Sequence, residues 1–544
     1  MVAEDSSRLR LPELVSPGAA SAMAAAPTKG APTAVVIDKG KGPGSPPTES
    51  SSLVPKKGGE TEAHHHTRSK WYQSSFILMA EIMGAGILGL PFAMSRLGWV
   101  WGLITSVLGG ILCTYSGVLL SRAKHELGQD QAESYADLAY ATGGRVFGDI
   151  VRGIVYLSWV AVLPYFLLAC VDSLRDLFPT VVMPVWQWAL VVCAFLLPSL
   201  QLRTLHQISY LALPSTIAVV AAVGLVLASL LSSPMPAGAT HSVWIPPATR
   251  RSNVVGHVSS FVFAYMGHSM YFEVMREMER SAEFSKALIV SNAIMGTCYT
   301  ATSVLAYQAA GSGVAGFLPD SMPAGVPKQA VGLLLAFHTA VSYLVQGQPL
   351  HRAMQRWAFP RSVDKTSWYD PPPHPPSPPV TPRHLPSPAP SPAATPPPQP
   401  SPPPYLPPHR PITRIAPSPP GNLSPSKRRR RAALDWFVCT GALLVSSAIV
   451  AVAIPFFSDL QQLLGSFLGA PLVFGCPAFF FLASSRAVGK PIATVDLVLC
   501  GLFLYILSPL FAIVGTATSL VQIHDSWVAN PNPEHYGLLL TALL

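Results

Sequence analysis

Apolar residues run for about 20 positions at a time along most of this chain, and polar or charged residues gather in the gaps between them. A helix rising about 1.5 Å per residue needs about that length to cross a hydrocarbon core. The pattern predicts about eleven spans, near 74–95, 99–122, 150–175, 181–201, 207–231, 254–276, 286–311, 328–351, 432–454, 460–484 and 492–522. A membrane barrel would show alternating positions instead. Two spans are punctuated by glycine, at Met83-Gly84-Ala85-Gly86-Ile87-Leu88-Gly89-Leu90-Pro91 and at Phe263-Ala264-Tyr265-Met266-Gly267-His268. A helix that unwinds in the membrane frees backbone N–H and C=O groups where water is absent. Such a break persists only where protein, ligand or ions satisfy them.

Composition agrees with this reading. Of 544 residues 50% are hydrophobic and 12% charged, with a mean hydropathy of +0.38, against about a quarter charged in soluble domains. The net charge of +9 does not point to nucleic acid, because the basic residues are scattered through short loops. With a cytoplasmic N-terminus, Arg122, Lys124, Arg145, Arg203, Arg276, Arg280, Lys286, Arg486 and Lys490 share one side, as the positive-inside rule requires. Cys113, Cys170, Cys193, Cys298, Cys439, Cys476 and Cys500 all fall inside spans, so no disulfide framework or metal site is expected.

Residues 1–70 are rich in Ala, Gly, Pro, Ser and Thr and are expected to form a disordered cytoplasmic tail. Spans one to eight occupy 71–352 and spans nine to eleven 432–524, with a short non-cytoplasmic tail over 525–544. Between the two sets, residues 353–431 hold almost half of the 56 prolines and end in Lys427-Arg428-Arg429-Arg430-Arg431. This reads as a polyproline II linker in the cytoplasm, whose basic run enforces topology beside anionic lipid. A cytosolic partner that reads proline motifs is a weaker expectation.

The residues from Met83 to Trp99 resemble the first-helix signature of the amino acid/auxin permease family, and most closely its plant-type lysine/histidine permease branch. Phe263-Ala264-Tyr265, Gly267-His268 and Glu273 resemble its broken sixth helix, His338, Ser342, Tyr343 and Pro349 its eighth, and Ile454-Pro455-Phe456-Phe457 the entry to its tenth. The resemblance implies an all-α polytopic membrane protein with a LeuT-like fold: two inverted five-helix repeats plus an eleventh helix, with helices one and six broken. It departs at Gln355, where relatives carry an acidic residue.

Paired breaks in corresponding halves mark the central site of a secondary transporter. An amino acid presents a carboxylate beside an ammonium. Amides near Gly86 to Leu88, at a half-helix N-terminus, suit the carboxylate; carbonyls around Met79 to Met83 and Phe263 to Met266 suit the ammonium. The expected substrate-binding set is therefore Met83, Gly84, Ala85, Gly86, Ile87, Phe263, Tyr265 and Gly267, with Phe263 and Tyr265 as an aromatic wall. Tyr156 and Trp159 are secondary candidates.

The expected coupling and gating set is Glu81, His268, Glu273, His338, Thr339 and Ser342. An acidic residue at mid-span costs about 2.5 to 3.5 kcal/mol on insertion scales and is normally retained for function. Glu81 stands just before the first break, and sodium-coupled relatives have an asparagine one position earlier, where this chain has Ala80. A proton carried by Glu81 is thus favoured over sodium. His268 and His338 are further proton candidates. Glu273 is expected at the cytoplasmic gate, with Arg276 or Lys286.

The reading is a proton-coupled amino acid symporter working by alternating access, in the plasma or vacuolar membrane. It needs no cofactor or metal. Sodium coupling and auxin-like substrates are alternatives within the class. An amino acid sensor signalling through its cytoplasmic segments is the alternative outside it. No nucleophile-base cluster supports an enzyme.

Overall fold

The computed structural model describes residues 69–128, 132–201, 205–247, 249–250, 253–359 and 425–529. Residues 1–68, most of the proline-rich stretch and 530–544, on which the tail and linker expectations fall, lie outside the described residues. The elements are α1 (Trp71–Ile82), a tight 3₁₀ turn (Ala85–Gly89), α2 (Leu90–Leu127), α3 (Tyr135–Leu177), α4 (Val185–Ser199), α5 (Leu205–Ser232), α6 (Val254–Ala264) and α7 (Tyr271–Glu277). They continue as α8 (Phe284–Ala310), α9 (Val326–Ala358), α10 (Pro425–Ala453), α11 (Phe457–Val488) and α12 (Thr494–Ala529).

Both expected breaks are present, between α1 and α2 and between α6 and α7. Each opens a set of helices, and members at equivalent places in the two sets pack together: α2 on α8 and α3 on α9. That is the packing of two halves related by a pseudo-two-fold axis. A core of Leu, Phe, Val and Tyr side chains fills the space between them.

Eight stretches among the described residues are long and apolar enough to cross a membrane. The expected count of about eleven differs for two physical reasons. The half-helices α1, α6 and α7 are each too short to span alone, and α4 has 15 residues, about 22 Å of rise. Expected spans one and two also run together as Ala85–Leu127, bent at Gly98, where φ is +76°. There the freed amides of Trp99 and Val100 donate to Ser242 and Val243 carbonyls at 3.0 Å each.

Several boundaries move outward. Helix α3 starts at Tyr135 because Ser134 and Asp137 form a reciprocal cap, Ser134 N to Asp137 Oδ2 at 3.0 Å and Asp137 N to Ser134 Oγ at 3.2 Å. A positive-φ bend at Gly144 then separates this lead-in from the apolar body. Helix α9 continues to Ala358 and α10 begins at Pro425. The basic run 427–431 is therefore helical rather than linker, as Lys and Arg behind a proline at the first helical position allow.

At the end where the described chain begins, Ser69 is paired along the backbone with the segment following α7. Ser69 N donates to Glu277 O at 2.9 Å, and Glu279 N donates to Ser69 O at 2.8 Å.

Gly98 gives a stability test. A Cβ there would stand 2.1 Å from the Trp244 carbonyl oxygen, on a backbone L-residues rarely adopt. We expect Gly98→Ala to cost at least about 2 kcal/mol, whereas Gly441→Ala, inside α10 with nothing within 4 Å, should gain up to about 1 kcal/mol. Thermal melting of the detergent-purified protein reads both.

Candidate functional site

At the first break Met83 leaves helical geometry (φ −74°, ψ 68°) and Gly84 is extended. The 3₁₀ turn then restarts the helix, with Ile87 N reaching Gly84 O at 3.5 Å. The first amides of such a start have no helical acceptor. At the second break, Met266 N donates to Phe263 O at 2.9 Å and Gly267 N to Tyr265 O at 2.9 Å before α7 begins. The breaks lie against each other. A Cβ on Gly86 would meet Ala264 Cα at 3.4 Å, and one on Gly267 would meet Ile82 Cδ1 at 2.7 Å.

Side chains from other helices donate to carbonyls at and beside the breaks. Gln461 of α11 donates its Nε2 to Gly86 O at 2.9 Å and to Ser260 O at 3.3 Å, bridging the two breaks. Tyr165 of α3 donates to Ala85 O at 3.1 Å. Tyr299 of α8 donates to Ala264 O at 3.2 Å, with Ile82 O at 3.5 Å. All three side chains are buried. Gly89 makes room for the bridge, since a Cβ there would fall 1.9 Å from Gln461 Oε1.

A cavity lies between the breaks. The backbone of Gly84, Ala85, Gly86 and Gly267 forms one wall, Trp159, Tyr165, Phe166 and Phe263 another, and Glu81 with Gln346 of α9 lies toward the Ser69 end. Gln346 Nε2 donates to Glu81 Oε2 at 3.2 Å. At the opposite end Tyr165 stacks on Phe457 (4.5 Å, 26°) and meets Phe263 edge-on at 4.8 Å, while Phe317 packs on Phe457 at 5.1 Å. This aromatic stack separates the cavity from a polar cleft lined by Arg96, Asp172, Arg175, Asp320 and Asp459. A pocket of aromatic walls and paired backbone donors and acceptors, with one carboxylate, suits a small polar solute that carries both charges.

Residues 67–521 match the family model for the transmembrane amino acid transporter protein. The chain belongs to that family. Amino acid transporter AVT1B of Arabidopsis thaliana is 23% identical over 490 residues, covering 87% of this chain and 75% of its own. Lysine histidine transporter-like 4 of the same plant is 23% identical over 303 residues, covering 52% and 66%. Among solved structures, a substrate-bound, outward-open sodium-coupled sialic acid symporter matches over 84% of this chain and 90% of its own, at 14% identity and a TM-score of 0.43.

Within this transporter-family chain, Glu81, Gly84, Ala85, Gly86, Phe263 and Gly267 border the cavity, and so does Trp159. Met83 and Ile87 are buried behind it. Tyr265 turns away: its ring meets Tyr299 at 5.3 Å and its hydroxyl lies between Gly110 of α2 and Gly296 of α8. The aromatic wall therefore comes from Phe263, Tyr165 and Phe166. His268 stacks on Tyr271 at 4.8 Å, outside the cavity. His338 is held by Ser215, Nδ1 to Oγ at 2.9 Å, in the α5–α9 contact. Thr339 Oγ1 donates back to Leu335 O at 2.7 Å, and Ser342 does not border the cavity. Glu273 pairs with Arg276 in α7, whereas Lys286 pairs with Glu283 at 3.3 Å. Gln355 donates to Ala432 O at 3.4 Å, joining α9 to α10.

Sequence reasoning missed Gln461, Tyr165, Tyr299, Phe166 and Gln346. For all but Phe166, a polar side chain in mid-span on a helix facing the breaks was the available signal.

The Gln461 bridge predicts a sign. Gln461→Ala should cost about 1 to 3 kcal/mol by removing two buried hydrogen bonds and opening a cavity. Gly89→Ala should be markedly less harmful in the Gln461→Ala background than alone, with a coupling of about 0.5 to 3 kcal/mol. A double-mutant cycle on melting temperatures checks it; strict additivity would refute the bridge.

Proposed function

We propose that this chain carries amino acids across a membrane by proton-coupled symport, alternating access to the cavity between the two breaks. One observation supports the coupling: Glu81 borders that cavity and accepts from the neutral amide of Gln346, with no ion pair to a basic side chain among the described residues. A carboxylate without a fixed counter-ion, on the wall of the cavity that receives the solute, can take a proton from one side and release it on the other.

Family membership supports amino acids as the class of solute. The closed aromatic stack at one end and the Ser69 pairing at the other supply two barriers, which alternating access requires to open in turn. The energy suffices. One charge moving down 100 mV contributes about 2.3 kcal/mol and one pH unit about 1.4 more. Together these support several-hundred-fold accumulation of a zwitterion.

The test is uptake of labelled amino acids into proteoliposomes, with pH and sodium varied independently. Uptake should rise on an inside-alkaline gradient without sodium and carry inward current. In Glu81→Gln the ratio of rates between about pH 5.5 and 7.5 should fall toward one, because the titrating group is gone. Sodium-dependent uptake indifferent to pH would overturn the coupling. No uptake across an amino acid panel would favour a sensor.

A further inference from the structure

We infer that the cavity between the breaks takes small neutral amino acids, of the size of glycine, alanine and serine, and that Trp159 and Phe166 set the limit. This rests on the transport reading above and adds the class of solute to it. Alternating access passes through a state with both barriers closed, and that state must hold the solute whole. Here both barriers are formed, the Tyr165–Phe457 stack at one end and the Ser69 pairing at the other. The room between them therefore bounds the solute.

That room is small. The centre of a water-sized group can move through about 60 Å³ of the cavity, and each water needs about 10–15 Å³ of such space. The capacity is about four to six waters, or about 120–180 Å³ at the roughly 30 Å³ a water takes in the liquid. Glycine, alanine, serine and threonine fit within it. An aromatic ring or a long basic chain on the same backbone does not.

The walls around this room are held in place. Phe166 of α3 lies over the first break, where a Cβ on Gly84 would meet its Cε1 at 3.4 Å and its Cζ at 3.6 Å. Its neighbour Tyr165 is fixed by the bond to Ala85 O and meets Phe166 edge-on at 5.9 Å. Trp159, two turns earlier on α3, donates Nε1 to Ser269 Oγ at 3.3 Å, so its indole reaches from α3 to the second break. A solute whose carboxylate and ammonium meet the backbone wall turns its side chain toward these rings.

Charge narrows the class further. Among the described residues Glu81 is the one charged group that borders the cavity, and no Lys, Arg or His does. An acidic side chain would lose its water there and find a carboxylate in place of a cation, so burial and repulsion both oppose it.

The test reads binding, which separates it from coupling and from transport. The melting temperature of the detergent-purified full-length protein is followed while glycine, alanine, serine, phenylalanine, arginine and glutamate are each titrated to a Kd. Alanine and serine should bind at least about tenfold tighter than phenylalanine, and arginine and glutamate should give no shift. Trp159→Ala and Phe166→Ala open the ring wall, and each should move the alanine-to-phenylalanine ratio at least about tenfold toward phenylalanine. A merely structural role would lower the melting temperature and leave that ratio unchanged. Phenylalanine, arginine or glutamate stabilising the unaltered protein as well as alanine does would overturn the inference, and so would an unchanged ratio in both variants. Stabilisation by none of the six would overturn the cavity as an amino acid site. The expected ranking without uptake in proteoliposomes would uphold this inference and fault the transport reading alone.

Discussion

The backbone carbonyls released where two helices unwind in an apolar interior are the constraint on which this structure depends. Each must find a donor, and water is not there to give one. Gln461, Tyr165 and Tyr299 answer from three different helices, so α3, α8 and α11 are positioned by the breaks as much as the breaks by them. The same donors hold the two breaks at glycine-limited distance, and the cavity between them has its shape as a result.

Much of this was legible beforehand because membrane insertion writes on sequence strongly. Apolar runs gave the bodies of the spans, and glycine with proline gave the first break where it occurs. The elements misjudged are those governed by local chemistry or by rotation about a helix axis. The start of α3 depends on a two-residue cap, and the helical basic run on good helix formers behind a proline. Tyr265 and Phe263 are two positions apart, so on an unwinding helix they face opposite ways, and sequence could not say which one would meet the cavity. Gln461, which joins the two breaks, lies 375 and 201 residues from its acceptors, and no spacing along the chain announces such a partner.

The ionisable residues divide along similar lines. Glu81 borders the cavity and His338 is tied to Ser215 in a helix contact, though both looked alike as buried titratable groups in apolar spans. What separates them is not residue type but the helix face each occupies relative to the breaks. The two ends of the cavity are also closed by different means, stacked rings at one and backbone pairing at the other. Rings part by rotamer changes of a few side chains. Parting paired backbones requires segments to move as bodies.

That difference gives the Ser69 pairing a mechanical meaning. Ser69 sits two residues before α1 and is bonded to the end of α7, so it joins the ends of the two half-helices that lie away from the breaks. Two backbone hydrogen bonds, with no side chain between them, therefore couple the position of one half-helix end to the other.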